Sequence, residues 1–189
     1  MFKSCSSPNS DINSRFTPSE GATIYGVIND DPCDPDDTTY AYLDGANAQN
    51  QDVGYPAFSL GNEVEEILYV GLFSRFYCAL DGQSIARNLL YVDGTRNNGR
   101  NWSPGPEFFW APDYFPLNPN TGLPWTQDQV EGVGADALEY AGCRGIIVAG
   151  DQLRWSIQYL CVVHRENETG RIVTTIAQPI TTGIVTDIS

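Results

Sequence analysis

The chain has 189 residues, 41 % hydrophobic and 12 % aromatic, which suits one domain with a real core. Ten Lys and Arg stand against 24 Asp and Glu, a formal net charge of −14 that speaks against nucleic acid and against an anionic membrane surface as partners. No stretch approaches the roughly 18 apolar residues of a spanning helix, and the N-terminus lacks the apolar run of a signal peptide, so the expectation is synthesis in a cytoplasm.

Residues 1–20 are rich in Ser, Asn and Pro, show no periodicity and read as an N-terminal arm. Residues 22–28 read as a first strand. Asp30, Asp31, Asp34, Asp36 and Asp37 then crowd one short stretch. Clustered carboxylates suit calcium, but the spacing is not that of an EF-hand, and Pro32 and Pro35 stiffen the run, so it reads as a solvated loop. Residues 39–43 form a short strand, residues 44–52 a polar loop and residues 55–60 another strand. Residues 64–78 are the longest apolar run. Leu68, Val70, Leu72 and Phe76 face one way, and Ile67, Tyr69, Phe73 and Tyr77 the other. Apolar residues on both faces predict a strand covered on both sides, one side by loops or a second subunit. Asp81-Gly82 predicts a hairpin turn into residues 85–92, and Asp93-Gly94 a second turn.

Residues 102–115 hold Trp102, Phe108, Phe109, Trp110, Tyr114 and Phe115. Alternate rings should pack inward while the rest cover an edge; exposed beside polar groups, they would form a glycan platform. A strand ends near Phe115. Asn118-Pro119-Asn120-Thr121-Gly122 then turns sharply, Trp125 drops onto the core, and Thr126 with Gln129 forms a capping box that starts a short helix. Residues 130–140 continue as a helix broken at Gly132 or Gly134 and ended by Gly142. Residues 143–149 are a buried strand. From Leu153 to His164 the period is two, which predicts Leu153, Trp155, Ile157, Tyr159 and Cys161 on one buried face. Residues 171–176 and 180–188 are β-branched and uncharged. Left unpaired they would aggregate, so the expectation is that they add strands to a neighbouring chain, with Ile172, Ile176 or Ile184 in its apolar pockets.

Several of these pieces resemble structural proteins of tailed bacteriophages. The run from Asn118 to Thr126 is similar to that family's N-P-x-T-G-x-x-W-T segment. Asp36-Asp37-Thr38-Thr39-Tyr40 looks like its D-D-x-x-Y element, and Phe58-Ser59-Leu60 its F-x-L strand. The run from Ile67 to Cys78, Arg75 included, resembles its central strand. Residues 85–94 are similar to its R-x-L-L-x-x-G hairpin, and residues 138–144 and 153–163 to its closing strands. The likeness spans about residues 21–165. Gly132 to Asp136 is an insertion, and both arms lie outside the match. The resemblance implies an all-β, antiparallel, jelly-roll-like β-sandwich on a virion. The division is then arm 1–20, sandwich 21–165 with one short helix, and β-prone arm 166–189.

No catalytic set stands out. The only histidine, His164, has no serine elbow, and no phosphate loop or zinc cluster is present. Nothing singles out Glu107 with Asp113 as a working carboxylate pair. Cys5, Cys33, Cys78, Cys143 and Cys161 are odd in number, lack C-x-x-C spacing and read as reduced thiols. The expectation is a non-enzymatic protein with no catalytic residues, metal or cofactor. It would be a capsid decoration (cement) protein localised to the virion, held to other virion proteins and to copies of itself through its arms. A basic surface on the neighbour would help. A collar or tail component, or a glycan-binding adhesion module, is the alternative.

Overall fold

Two strands of 15 residues, β5 (Val64–Cys78) and β10 (Gln152–Glu166), run antiparallel along their length and form the spine of a β-sandwich. This is a computed structural model that describes residues 11–13, 16–20, 23–28, 35, 37–45, 48–55, 58–61, 64–167, 170–177 and 184–186. β8 (Phe109–Phe115) pairs on the free side of β5. The other edge of β10 is shared. β3 (Ala41–Asp44) takes its first residues and β11 (Ile172–Ala177) its last, with β2 (Thr17–Pro18) beyond β3 and β12 (Ile184–Thr186) beyond β11. The smaller sheet runs in the order β1 (Asp11–Asn13), β4 (Ala48–Val53), β9 (Leu138–Ile146), β6 (Ile85–Val92), β7 (Thr95–Asn98). Between the sheets lie Phe76, Leu72, Val70, Leu90, Ala141, Cys143, Leu153, Trp155, Leu160 and Val162, all nearly or fully buried.

The segment after β8 matches its sequence reading in detail. The Asn118 side-chain oxygen accepts from Asn120 N–H at 3.0 Å, and Gly122 takes φ 70°. Trp125 is buried, and its indole N–H donates to the Phe115 carbonyl at 2.9 Å. Thr126 and Gln129 make both bonds of the capping box at the head of α2 (Gln127–Val130). The helix stops there, however. Gly132 and Gly134 adopt φ 79° and 85°, and the stretch expected to be helical to residue 140 turns and enters β9 at Leu138. Gly142 is no helix end. It lies inside β9, where a Cβ would sit 2.2 Å from the Gln51 carbonyl oxygen of β4.

Other expectations are corrected at the level of pairing. Of the expected strand 22–28, the described residues 23–28 are not a strand, because Ile24–Val27 is a helical turn, α1. Ile24, Val27 and Ile28 are all buried; a helical turn aims i, i+3 and i+4 at one side, whereas a strand would send Val27 away. The polar stretch 44–52 is not all loop. β4 pairs with β1 and β9 through backbone bonds that do not require apolar side chains. Its buried Gln51 is satisfied, accepting from Phe16 N–H at 3.1 Å and donating to the Asp52 carbonyl. Tyr55 and residues 58–60 are in no strand, although Tyr55 and Phe58 are buried. The turn at Asp81-Gly82 forms no hairpin; it carries the chain from the larger sheet to the smaller one. Asp151 pins that corner, accepting from Leu80 N–H, Gln152 N–H and the Ser84 hydroxyl. Asp93-Gly94 does form a hairpin, between β6 and β7, with φ 44° and 72°.

Register slips between β5 and β10 reset the faces. Against β5, β10 slips between Trp155 and Ile157. Leu153 and Trp155 point into the core as expected, but beyond the bulge Gln158, Leu160 and Val162 take the inner side. Ile157, Tyr159 and Cys161 move to the outer side. Gln158 can be inside because it is fully used: it accepts from Tyr55 O–H at 2.7 Å and donates to Ser74 Oγ and the Gly142 carbonyl. A second slip, opposite Leu68, buries Ile67 on the core side instead of Leu68. The C-terminal segment is corrected as well. β11 hydrogen-bonds to Leu160–Arg165 of its own chain, Val173 is buried there, and Ile172 is exposed. Residues 11–13 and 17–18 likewise pair on sheets of their own chain, and Phe16 lies edge-on to Trp155 at 6.1 Å.

Candidate functional site

The rings of this chain gather on the outer face of the larger sheet. On β5, Val70, Leu72 and Phe76 go to the core, so Tyr69, Phe73, Arg75 and Tyr77 point away from it. β8 adds Trp110 and Tyr114, and β3 adds Tyr42. β10 contributes Arg154 ahead of its bulge and Tyr159 after it. Tyr159 lies opposite Phe73, and the rings stack at 4.8 Å and 6°. Tyr114 meets Phe73 and Tyr69 edge-on at 5.5 and 5.4 Å, and Trp110 meets Tyr159 edge-on at 5.8 Å. Aromatic pairs in such geometries contribute about 0.5–1.5 kcal/mol each beyond their burial. Gly71 permits this closure. A Cβ there would stand 2.7 Å from Cys161 Sγ and 2.8 Å from the Phe73 ring.

Two arginines are fixed among the rings. Arg75 makes a two-pronged ion pair with Asp37 at 2.7 and 2.6 Å, and its guanidinium lies 5.8 Å from the Phe108 ring and 5.7 Å from that of Trp110. Asp37 also accepts from the Ser156 hydroxyl at 2.8 Å. Arg154 sits between Tyr40 and Tyr77, at 4.7 and 4.8 Å from their centroids. Cations over ring faces are held by the ring quadrupole, at about 0.5–1 kcal/mol for exposed pairs. The result is a broad, shallow, partly exposed surface, with Tyr114 52 % exposed at one edge. It presents ring faces, the Arg154 cation and the Arg75–Asp37 ion pair. Burial is the first cause that lifts the Tyr69 phenol above its ordinary value, with Cys161 and Tyr114 adding to it.

Of the aromatic stretch singled out in the sequence, Trp110 and Tyr114 belong to this face, and Phe108 flanks it through Tyr77 at 5.4 Å. Trp102, Phe109 and Phe115 pack on the core instead. The alternation is therefore as expected for a half-buried strand. Glu107 and Asp113 are not a working pair. Glu107 is exposed, and Asp113 points inward and is buried. Its carboxylate accepts from Asn88 Nδ2, Arg100 N–H, Arg100 Nε and Trp102 Nε1 at 2.9 to 3.3 Å, which makes it a structural anchor. Cys78, Cys143 and Cys161 are free and buried. Burial is the main cause in each: it pushes Cys78 and Cys161 up to about 12 and Cys143 well above its ordinary value, so these thiols stay protonated. Cys5, Cys33 and most of the aspartate-rich loop lie outside the described residues. Among the described residues no three His, Cys, Asp or Glu gather as a metal site, and no helix is long and apolar enough to cross a membrane. Sequence reasoning missed Tyr159 and Arg154 as members of the face. Only the bulge after Trp155 puts them on one side. No protein-family model matches this sequence, and a search of the curated proteins finds no relative.

Proposed function

We propose that this chain is a non-enzymatic structural protein of a tailed-bacteriophage virion. It acts as a capsid decoration (cement) protein and docks on neighbouring virion subunits through the outer aromatic face of its larger sheet. The sequence resemblance supplies the virion context. The observation that carries the docking is the face itself, where Tyr69, Phe73, Trp110, Tyr114 and Tyr159 line a sheet surface turned away from the core. Aromatic rings and arginine are the residue types that dominate the buried centres of protein interfaces. Arg154, a cation on that face in a chain of net charge −14, favours an acidic partner surface, which other copies of this chain can also offer.

The test is rebinding to particles. A Phe73→Ser/Tyr114→Ser double variant should keep most of its folded stability, since Tyr114 is exposed and Phe73 lies outside the core, and should lose particle binding. Retention at wild-type occupancy would overturn the reading. A collar or tail component docks by the same face, and a map of the particle separates the two. A glycan-binding adhesion module is the second reading. The pairing of β11 on its own sheet favours it, because that segment then needs no neighbouring chain to satisfy its backbone. Saccharide binding lost in Trp110→Ala, with particle attachment intact, would select it.

A further inference from the structure

On the opposite side of the molecule, the outer face of the smaller sheet carries a cavity of about 390 Å³, lined by Asn50, Asp52, Tyr91, Arg96, Tyr140 and Arg144 among others. We propose that this cavity binds an acidic saccharide, a sugar unit bearing a carboxylate. The proposal uses none of the residues of the aromatic face and stands apart from the docking reading.

The strand register builds the site row by row. Arg144 of β9 lies directly between Asn50 of β4 and Arg87 of β6. Gly142 follows on the same face, between Asp52 and Leu89, and offers no side chain to fill the hollow. Tyr140 comes next, opposite Tyr91, which in turn is opposite Arg96 of β7. Tyr140 and Arg144 are four residues apart on one strand, about 13 Å at a strand's rise, a span that fits one or two sugar rings. The volume lies within the usual range for small-ligand pockets, roughly 300–1,000 Å³.

Three features point to the ligand. First, Arg87 and Arg144 are directly opposite on adjacent strands, a like-charge pairing that destabilises a sheet, and of the two Arg144 lines the cavity, where an anion would relieve it. The Arg87 Nε donates to Asn101, whereas the buried Arg144 Nε has no hydrogen-bond partner among the described residues. A buried guanidinium N–H left unbonded is costly, and its fork geometry is matched by a carboxylate. Second, the Tyr91 and Tyr140 rings stack at 4.1 Å and 22°, forming an aromatic wall of the kind on which the C–H face of a sugar packs. The Tyr91 phenol is held well above its ordinary value by burial first and then by the neighbouring Asp52 carboxylate, so it remains a hydroxyl. Third, Asn50 and Asp52 line the same cavity and can take up hydroxyl groups. The Asp52 carboxylate is hydrogen-bonded to the Tyr91 phenol and puts negative charge beside the arginines, a mixture of signs that suits a hydroxylated acid better than a bare inorganic anion.

The experiment follows the Nε–Hε resonances of the full-length chain by nitrogen-15 NMR during titration with D-glucuronate, with D-glucose, acetate and sulfate as controls. The Arg144 and Arg96 resonances should shift saturably with glucuronate, at an apparent affinity about tenfold or more above every control. Arg144→Lys should weaken glucuronate by about tenfold while leaving the melting temperature unchanged, because lysine keeps the charge and loses the fork. Tyr140→Leu tests the wall by a second route and should weaken binding without abolishing the Arg144 shift. Acetate or sulfate matching glucuronate, glucose matching glucuronate, or no saturation at millimolar sugar would each overturn the proposal.

Discussion

Asp113 shows how much one residue can carry without any chemistry. It is the one charged residue of β8, and it is 3 % exposed. Its four hydrogen bonds tie β6, β8 and the chain before Trp102 together. Asp113→Ala should take the acceptor from the Trp102 indole N–H and the Arg100 backbone N–H, leave Asn88 bonded to the Ala111 carbonyl, and cost on the order of 3 kcal/mol, measured by urea denaturation. His164 offers a cleaner titration, because the chain has one histidine. It is buried, and its Nδ1 has no partner among the described residues. Burial lowers its pKa from the ordinary 6.5, partly offset by Glu166. Above 6.5 both states hold a neutral imidazole and the contribution is complete. As the pH falls through 6.5 the unfolded chain takes up a proton and the folded chain does not, so stability declines until the folded value is reached. The imidazole should titrate below 6.5 by NMR, and His164→Gln should flatten the loss of stability between about pH 7 and 5.

At the scale of elements, a cap and a core ring make opposite predictions. The Thr126 cap holds a four-residue helix at the surface, so Thr126→Ala should cost about 1 kcal/mol. Trp155 is fully buried between β10 and Phe16, and Trp155→Ala should cost about 3–5 kcal/mol through the cavity it leaves. Thermal melts of the two variants separate these costs. The C-terminal strands give a sharper test, because the structure reverses the sequence expectation for them. β11 covers the edge of β10 from Leu160 to Arg165 and buries Val173. A chain truncated after Asn167 should therefore lose stability and self-associate through the bared edge, seen as a lower melting temperature together with larger species in size-exclusion chromatography. A truncated chain as stable and monomeric as the full one would show that β11 adds nothing to its own domain.

The molecule as a whole presents two different outer faces under one strongly negative charge. One is a broad ring surface holding Arg75 and Arg154; the other is a cavity holding Arg96 and Arg144. With Arg87 beside Arg144, five of the ten Lys and Arg in the chain stand on the two faces that bear a candidate site, Arg75 among them paired with Asp37, so the local potential departs from that of the bulk surface where binding is proposed. Association of copies through the ring face works against the repulsion of −14 per chain. Raising the ionic strength screens that repulsion and should tighten self-association in sedimentation experiments. Weakening with added salt would mean that cross-copy ion pairs, not rings, hold the contact.

The all-β class and much of the local structure are legible in the residues alone. Alternation and turn signals mark the strands and composition suits a sandwich, which the resemblance implies; β5 is bounded as its apolar run is, and the turn, buried Trp125 and capping box after β8 follow from residues only a few positions apart. Such features are local, decided by dihedral preference and by hydrogen bonds within a turn. The tertiary structure decided what depends on partners distant in the chain. β4 has no apolar pattern and is a strand because β9 offers it a backbone ladder. Gly142, which ends a helix when read from its neighbours, is a glycine because the Gln51 carbonyl passes 2.2 Å from where its Cβ would be. The bulge after Trp155 turns Tyr159 outward, since a strand's side chains alternate and one extra residue reverses every face beyond it. The stacking of Tyr159 on Phe73, and the meeting of Arg144 with Arg87, depend on pairing register, which the order of residues along one strand does not specify.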